Sequence, residues 1–355
     1  MKRYNVIGTM SGTSLDGLDI AYCSFEFSKN KWSFKINEAT TVTFLDNINK
    51  KLKTAIKMDG LDLMKLHNEL GNFIGLSINN FVSEYKIDRN KIDCISSHGH
   101  TIFHQPEISL TTQIGNGANI SALTYLPVIC DFRTTDIALN GQGAPLVPIG
   151  DKLLFSEYEY CVNLGGIANI SFEKNNERIA FDICPVNIVL NKLSQNLGFD
   201  YDKNGDLAKA GTIDKELLNQ LNKLIYYQKS NPKSLGIEWI ENEFFPIINS
   251  FNISIKDKLR TFVEHIAIQI SNNINAKNSS VLLSGGGTFN SFLVDRIKAN
   301  TNNQIIIPSN QIINFKEALI FAFLGILRLR HEVNCLQSVT GASKDNIGGC
   351  IYQSF

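Results

Sequence analysis

The chain has no segment apolar enough, for long enough, to span a bilayer, and its start, MKRYNVIGTMSG, carries basic residues without the hydrophobic stretch of a signal peptide. A membrane role and export are therefore not expected, and the cytoplasm is the compartment this reading implies. Excess charge of either sign is missing too: Lys and Arg total 34, as do Asp and Glu, so the formal net charge is zero. Nothing draws such a surface toward nucleic acid or lipid headgroups, and a small or locally recognised ligand fits better. Disulfide chemistry is the third absence. The seven cysteines, Cys23, Cys94, Cys130, Cys161, Cys184, Cys335 and Cys350, are odd in number, scattered through apolar runs and without C-x-x-C spacing, so they read as reduced core residues. What remains is 355 residues, 43% of them apolar, uninterrupted by low-complexity runs or charge blocks, which is enough for two globular domains.

Strand-like and helix-like patterns alternate along this length, which argues an α/β fold. Residues 4–27 read as strand, Gly/Ser/Thr turn, strand, and 61–85 as one long helix or two short ones. The stretch 92–104 is strand-like at its start; 113–132 gives a polar turn, a helix and a buried strand. A Gly/Pro-rich stretch at 138–155 reads as an ordered loop. Residues 159–173, EYCVNLGGIANISFE, repeat the strand, glycine turn, strand plan of the opening. The polar region 194–257 reads as surface loops and short helices, 258–274 as an amphipathic helix, 280–297 as strand, three glycines and helix, 303–309 as a short strand, and 315–330 as an apolar helix.

The chemistry concentrates in the glycine turns. In NVIGTMSGTSLDGLD the lysine of a P-loop is missing, and a strand rather than a helix follows, so the P-loop is excluded. A turn between antiparallel strands can still aim main-chain N–H groups and hydroxyls at an anion, and the candidates are Gly12, Thr13, Ser14, Leu15, Asp16, Gly17, Leu18 and Asp19. Asp16 and Asp19 would repel phosphate unless a divalent cation lay between, and Mg²⁺ with its oxygen preference suits them. An ordinary Gly/Ser hairpin is the alternative. Gly165 and Gly166 offer a second close approach, and Gly285, Gly286 and Gly287, between an apolar strand and a helix, a third. His98, His100 and His104 include an H-x-x-x-H spacing that on a helix would present two imidazoles to one metal, but Gly99, Thr101 and Ile102 argue against a helix there. Arg133 and Asp136 read either as a ligand-binding charged pair or as an ion pair holding a loop. Asp182 reads as a general base or as a helix-capping aspartate before Pro185.

Taken in order, GTMSGTSLDGLD (8–19), SSHGHTIFHQP (96–106), QIGNGANIS (113–121), DFRTTDIALNGQGAPLVP (131–148), VNLGGIANISF (162–172) and TGA (340–342) resemble the anhydro-N-acetylmuramic acid kinases. The resemblance covers nearly the whole chain and implies a two-domain actin-like ATPase (ribonuclease H-like) fold with an interdomain cleft. The domains it implies are 1–128 plus 335–355, with the first phosphate hairpin and the sugar side, and 129–334, with the second turn and the adenosine side. It further implies ATP and Mg²⁺ as cofactors, a sugar substrate and a homodimer. The expected reaction opens the 1,6-anhydro ring with water and phosphorylates O6 in peptidoglycan recycling. Asp182 takes the family's general-base position, and His98, Gly99, Thr101, Arg133, Asp136, Asn187 and Glu317 match sugar-side positions. The family's FDTGPxN stands here as FDICPVN, with Ile183 and Cys184 in place of Thr and Gly; Asn191 replaces an acid, Asp151 closes the IGD that replaces a histidine after GAPLVP, and Leu235 replaces a Thr. Those departures leave open a kinase for another amino sugar, and a non-catalytic ATP-binding regulator or a metal-dependent hydrolase using His100 and His104 stays open beside it.

Overall fold

The computed structural model describes residues 2–12, 15–274, 276 and 278–353. The candidate turn residues Thr13 and Ser14 lie outside the described residues. The chain forms two compact units, Met1–Leu154 with Phe315–Phe355, and Phe155–Asn314.

The first unit is built on strands β1 (Lys2–Ser11), β2 (Leu18–Ser28), β3 (Lys31–Val42), β4 (Cys94–Gln105), β5 (Leu110–Ile114), β6 (Val128–Cys130) and β12 (Cys350–Tyr352), in the order β12-β6-β4-β1-β2-β3 with β5 paired to β4. β1, β2 and β3 form an antiparallel meander, whereas β4 joins β1, and β6 joins β4, in parallel. Parallel central strands are covered on both faces, which is why Val6 to Thr9 and Cys94 to His100 are buried in unbroken runs rather than alternately. One face receives the helix Gly60–Glu84, which presents Leu66, Leu70, Ile74, Ile78 and Phe81 at helical spacing and is N-capped by the Asp59 side chain on Asp62 N. The helix Asn310–Leu329 starts five residues before the apolar run at 315 and buries Leu319 to Leu324 without a break. Its backbone sits directly on β1 and β4. A Cβ on Gly8 would stand 2.0 Å from Ala318 O, and one on Gly325 2.7 Å from Ser96 Cβ.

The second unit holds β7 (Tyr160–Leu164), β8 (Ile167–Lys174), β9 (Glu177–Pro185), β10 (Ser280–Ser284) and β11 (Gln304–Ile306), ordered β11-β10-β7-β8-β9. β7, β8 and β9 are antiparallel, and β10 and β11 continue in parallel. This matches β6-β4-β1-β2-β3 strand for strand, so the sequence echo at 159–173 is a repeat of topology. The helix Ile255–Asn272 covers the sheet with Leu259, Phe262, Val263, Ile266 and Ile270. The polar region 194–257 is less superficial than its composition implies: Leu217, Leu221, Ile240, Phe244 and Ile248 are fully buried in that core. Short helices supplying two apolar residues each leave no periodic signal in a Lys/Asn-rich stretch.

The division expected at 128/129 and 334/335 falls instead at 154/155 and 314/315. β6 pairs in the first sheet with β4 and β12, and most of the helix Asn310–Leu329 packs on that sheet. The stretch 138–155 likewise ends in a helix, Val147–Leu154, held to the long helix by a buried Lys316–Asp151 ion pair at 2.7 Å.

Arg133 and Asp136 do not form the expected pair. Asp136 is fully buried, and its carboxylate accepts from Gly143 N (2.8 Å), Asn346 Nδ2 (2.8 Å), Thr340 Oγ1 (2.9 Å) and Cys335 Sγ (3.0 Å). It therefore fastens the C-terminal segment to the 133–143 stretch and has no side-chain oxygen facing a ligand, which removes it from the substrate candidates. Asp136→Ala strands four buried donors and is expected to cost on the order of 3 kcal/mol in urea unfolding. A loss below about 0.5 kcal/mol would contradict this assignment.

Candidate active site

In the first unit the candidate residues gather where the C-terminal end of β1 lies beside the middle of β4. Ser11 and His100 are register neighbours, with Ser11 Oγ 2.9 Å from His100 Nδ1, and Thr9 Oγ1 donates to Ser97 Oγ at 2.9 Å. Beside them Gly99 is in the left-handed region (φ +75°), and a Cβ there would meet Ile114 O at 2.4 Å, so the strand passes tightly against β5. Thr101 sits on β4 within 3.4 Å of Gln113 Nε2. His98 is buried and its tautomer follows from its partners. Nε2 accepts from Arg133 Nε (3.1 Å) and Nη2 (3.0 Å), so Nδ1 carries the proton and donates to Gly99 O (3.0 Å). Burial and then the Arg133 charge hold its pKa well below the usual histidine range, and it stays neutral.

Arg133 also donates to Gly143 O at 2.7 Å, and burial lowers its pKa to about 10 despite the opposing Glu317 charge. The His98 ring packs 4.5 Å, centroid to centroid, from Phe321. Glu317 lies one turn before Phe321 on the same helix face, which brings its carboxylate into the field of Arg133. Water reaches the Glu317 side chain, yet the protein around it is dense enough to desolvate the carboxylate and raise its pKa; Arg133 opposes that shift and Asp19 adds to it. Asp19, at the start of β2, accepts from Thr41 Oγ1 at 2.5 Å, and its pKa is raised by burial first and further by the Asp16 charge. Asp16, Asp19, Glu317, Arg133 and His98 thus form one electrostatic chain. Leu18 turns its side chain into the core and Leu15 packs on the core's edge, so only their main-chain groups could face an anion.

The H-x-x-x-H reading does not hold. All three histidines lie on strand β4, where residues four apart are separated by about 13 Å, too far to share an ion. Among the described residues no group of three or more His, Cys, Asp or Glu could hold a metal by itself.

In the second unit the glycines meet on Leu164. A Cβ on Gly285 would stand 2.8 Å from Leu164 O, and one on Gly287 2.7 Å from Leu164 Cβ. Gly165 O and Gly166 O accept from the main-chain N–H groups of Asn187 (3.3 Å) and Val186 (2.9 Å), joining that turn to the start of the helix Asn187–Gln195. Asn187 Nδ2 reaches Leu164 O at 3.4 Å. Beside these groups lies a cavity of about 440 Å³ lined by Asn187, Asn191, Gly286, Gly287, Phe289, Tyr201 and Lys203, among others. Sequence reasoning missed the contribution of YDKNGDLAKAG to this cavity. Its signal was the Asp-x-x-Gly turn, in which Asp202 accepts from Leu207 N and Ala208 N while Gly205 takes φ +77°.

Asp182, on β9, is half-buried. Its Oδ2 accepts from Leu235 N at 2.9 Å, and Oδ1 has no hydrogen-bond partner among the described residues. Burial raises its pKa, and the Leu235 N–H pulls it partly back. The neighbours that depart from the resembled motif face the other way: Ile183 and Cys184 are fully buried in the core, so neither alters a ligand-facing surface. Leu235 serves through its main-chain N–H, which any residue except proline supplies.

Two sheets with one strand order, each led by a glycine-turn hairpin, have the duplicated plan of the actin-like ATPase fold, and one of them adjoins a cavity of nucleotide size. The family model for anhydro-N-acetylmuramic acid kinase matches residues 4–354. The anhydro-N-acetylmuramic acid kinase of Sulfurovum sp. is 32% identical over 99% of this chain and 100% of its own, and that of Mannheimia succiniciproducens 34% identical over 99% of each. Among solved structures, the activator of the 2-hydroxyisocaproyl-CoA dehydratase from Clostridium difficile with bound ADPNP covers 93% of this chain and 98% of that one, at 14% identity and TM-score 0.43. The chain belongs to the anhydro-N-acetylmuramic acid kinase family and is an ATP-using sugar kinase.

Gly286 has nothing within 4 Å of where a Cβ would stand and lines the cavity. Gly286→Leu is expected to fold, with a melting midpoint within about 2 °C of the parent. If the nucleotide occupies this cavity, the added side chain raises the ATP KM by about tenfold or more; an unchanged ATP KM places the nucleotide elsewhere.

Proposed function

We propose that the protein binds ATP in the second unit's cavity and glycine turns, binds anhydro-N-acetylmuramic acid on the first-unit residues His98, Gly99, Thr101, Arg133 and Glu317, and uses Asp182 as general base. The observation that carries this is Asp182 itself: a desolvated carboxylate with one oxygen held by Leu235 N and the other without a hydrogen-bond partner among the described residues. Such a group takes a proton from water as the water attacks the anomeric carbon. The C1–O6 bond breaks, O6 takes the γ-phosphoryl group, and N-acetylmuramic acid 6-phosphate and ADP result, the chemistry of peptidoglycan recycling.

Arg133, fixed by its bonds to His98 and Gly143, offers a planar cation to the lactyl carboxylate or sugar oxygens, and neutral His98 keeps a second positive charge from competing. Asn187 and Gly165 to Gly166 are bound to each other before any ligand arrives, so they offer a preformed surface. Asp16 and Asp19 supply hard oxygen donors whose mutual repulsion fits a divalent cation, and they would hold Mg²⁺ near the phosphates. Bound there, the ion would neutralise phosphate charge during transfer. Among the described residues no helix is long and apolar enough to cross a membrane. A cytoplasmic location and a homodimer belong to this reading through the family resemblance.

Asp182→Asn is expected to lower ATP-dependent ring opening by about 10³-fold, with the ATP KM within about twofold of the parent. Retention of most of the activity would remove Asp182 from this role. The base works ionised and burial raises its pKa, so the rate should fall on the acid side at a pH above the ordinary aspartate value of about 3.9. A kcat/KM profile flat down to about pH 4 would contradict this.

A further inference from the structure

β9 is an edge strand of the second sheet, yet its main chain at Asp182 is not left open. One stretch of chain, 226–235, meets three different atoms of that residue. Asp182 N donates to Lys233 O at 3.1 Å, Asp182 O accepts from Tyr226 Oη at 2.6 Å, and Asp182 Oδ2 accepts from Leu235 N at 2.9 Å. The first and last are main-chain groups of the stretch, set two residues apart as in a strand pair. The middle one comes from a side chain.

That side chain is itself held on all sides. Tyr226 is buried, its ring 5.3 Å from Trp239 and 5.6 Å from Tyr227. Lys233 Nζ lies 4.8 Å from the Tyr226 ring centroid and donates to Tyr226 O at 3.3 Å, so the two ends of the stretch are tied together. Tyr227 roots the stretch in the core. Its hydroxyl is 2.9 Å from Nε2 of fully buried His265, whose Nδ1 is 2.7 Å from Asn222 Oδ1. Asn222 Oδ1 only accepts, so Nδ1 carries the proton and Nε2 accepts from Tyr227.

We propose that Tyr226 is a positioning residue for the reaction: its hydroxyl fixes the main chain at Asp182 so that Leu235 N–H engages Oδ2 and Oδ1 is left to meet the attacking water. The proposal rests on the reading of Asp182 as the base. Tyr226 touches neither sugar nor nucleotide in this arrangement; it acts through the aspartate. Removing the hydroxyl leaves Asp182 O without its donor and loosens the alignment of the Leu235 N–H. The ionised carboxylate then loses a stabilising hydrogen bond, and the base protonates at a higher pH.

The test is Tyr226→Phe, which keeps the ring and its stacking. The expected result is a kcat about tenfold lower, with the ATP KM within about twofold and the acid limb of the kcat profile displaced to higher pH. In an Asp182→Asn background the same change should cost nothing further. An unchanged kcat and acid limb, or an equal loss in both backgrounds, overturns the proposal. The two readings separate cleanly: an active Asp182→Asn enzyme removes the base assignment, whereas an inactive one beside a fully active Tyr226→Phe enzyme removes only the positioning role. ATP binding reports whether Tyr226→Phe folds. Should it not, Lys233→Met tests the same stretch from its other end and is expected to lower kcat about threefold with the acid limb moved the same way. No change there overturns the proposal.

Discussion

Much of the first unit depends on how closely one helix backbone lies on two strands. Gly8 and Gly325 are the points of contact, and at each a single methyl group would collide with main-chain or β-carbon atoms opposite. That approach decides which helix residues meet which strand residues. Phe321 comes to rest on His98, and Glu317, one turn earlier, therefore lies in the field of Arg133 and Asp19. The electrostatics around Arg133 follow from packing between residues that carry no charge. A bulkier residue at position 8 would move every charged group in that chain without touching one of them.

Polar groups crowded by the protein fall into two kinds. Asp136 and the His265 network are saturated by protein donors and acceptors, and they tie distant stretches of chain together. Asp182, Asp19 and Glu317, by contrast, keep some access to water yet are crowded by protein and incompletely hydrogen-bonded, and crowding raises the pKa of each. The distinction separates the framework from the candidate chemistry more sharply than residue type does, since both sets contain aspartate.

The α/β class, the glycine turns and the repeat at 159–173 were legible in the sequence because strand alternation and Gly placement are local signals. Asp182 was legible as a candidate base, through the motif around it. Three matters were not legible, each for a physical reason. The partition of Arg133 and Asp136 depends on residues 335–346, some two hundred positions away, which no local pattern announces. The unit boundaries depend on β6 pairing with β4 and on where the helix Asn310–Leu329 packs, both tertiary choices. The roles of Tyr226 and Leu235 run through a hydroxyl and a main-chain N–H, and a main-chain N–H has no letter in a sequence. Ile183 and Cys184 show the converse, a conspicuous departure in letters with no consequence at the ligand surface.

The segment laid along β9 has a consequence for the chain in company with its own copies. An outermost strand with unsatisfied amides and carbonyls is a template for intermolecular cross-β growth. Here the outward hydrogen-bonding capacity at Asp182 is already spent on Lys233 and Tyr226, and the cover is a Lys- and Pro-containing stretch that pairs poorly with a further strand. The same contacts that orient a carboxylate thus also blunt an aggregation-prone border, so solubility and catalysis would deteriorate together if that stretch were loosened.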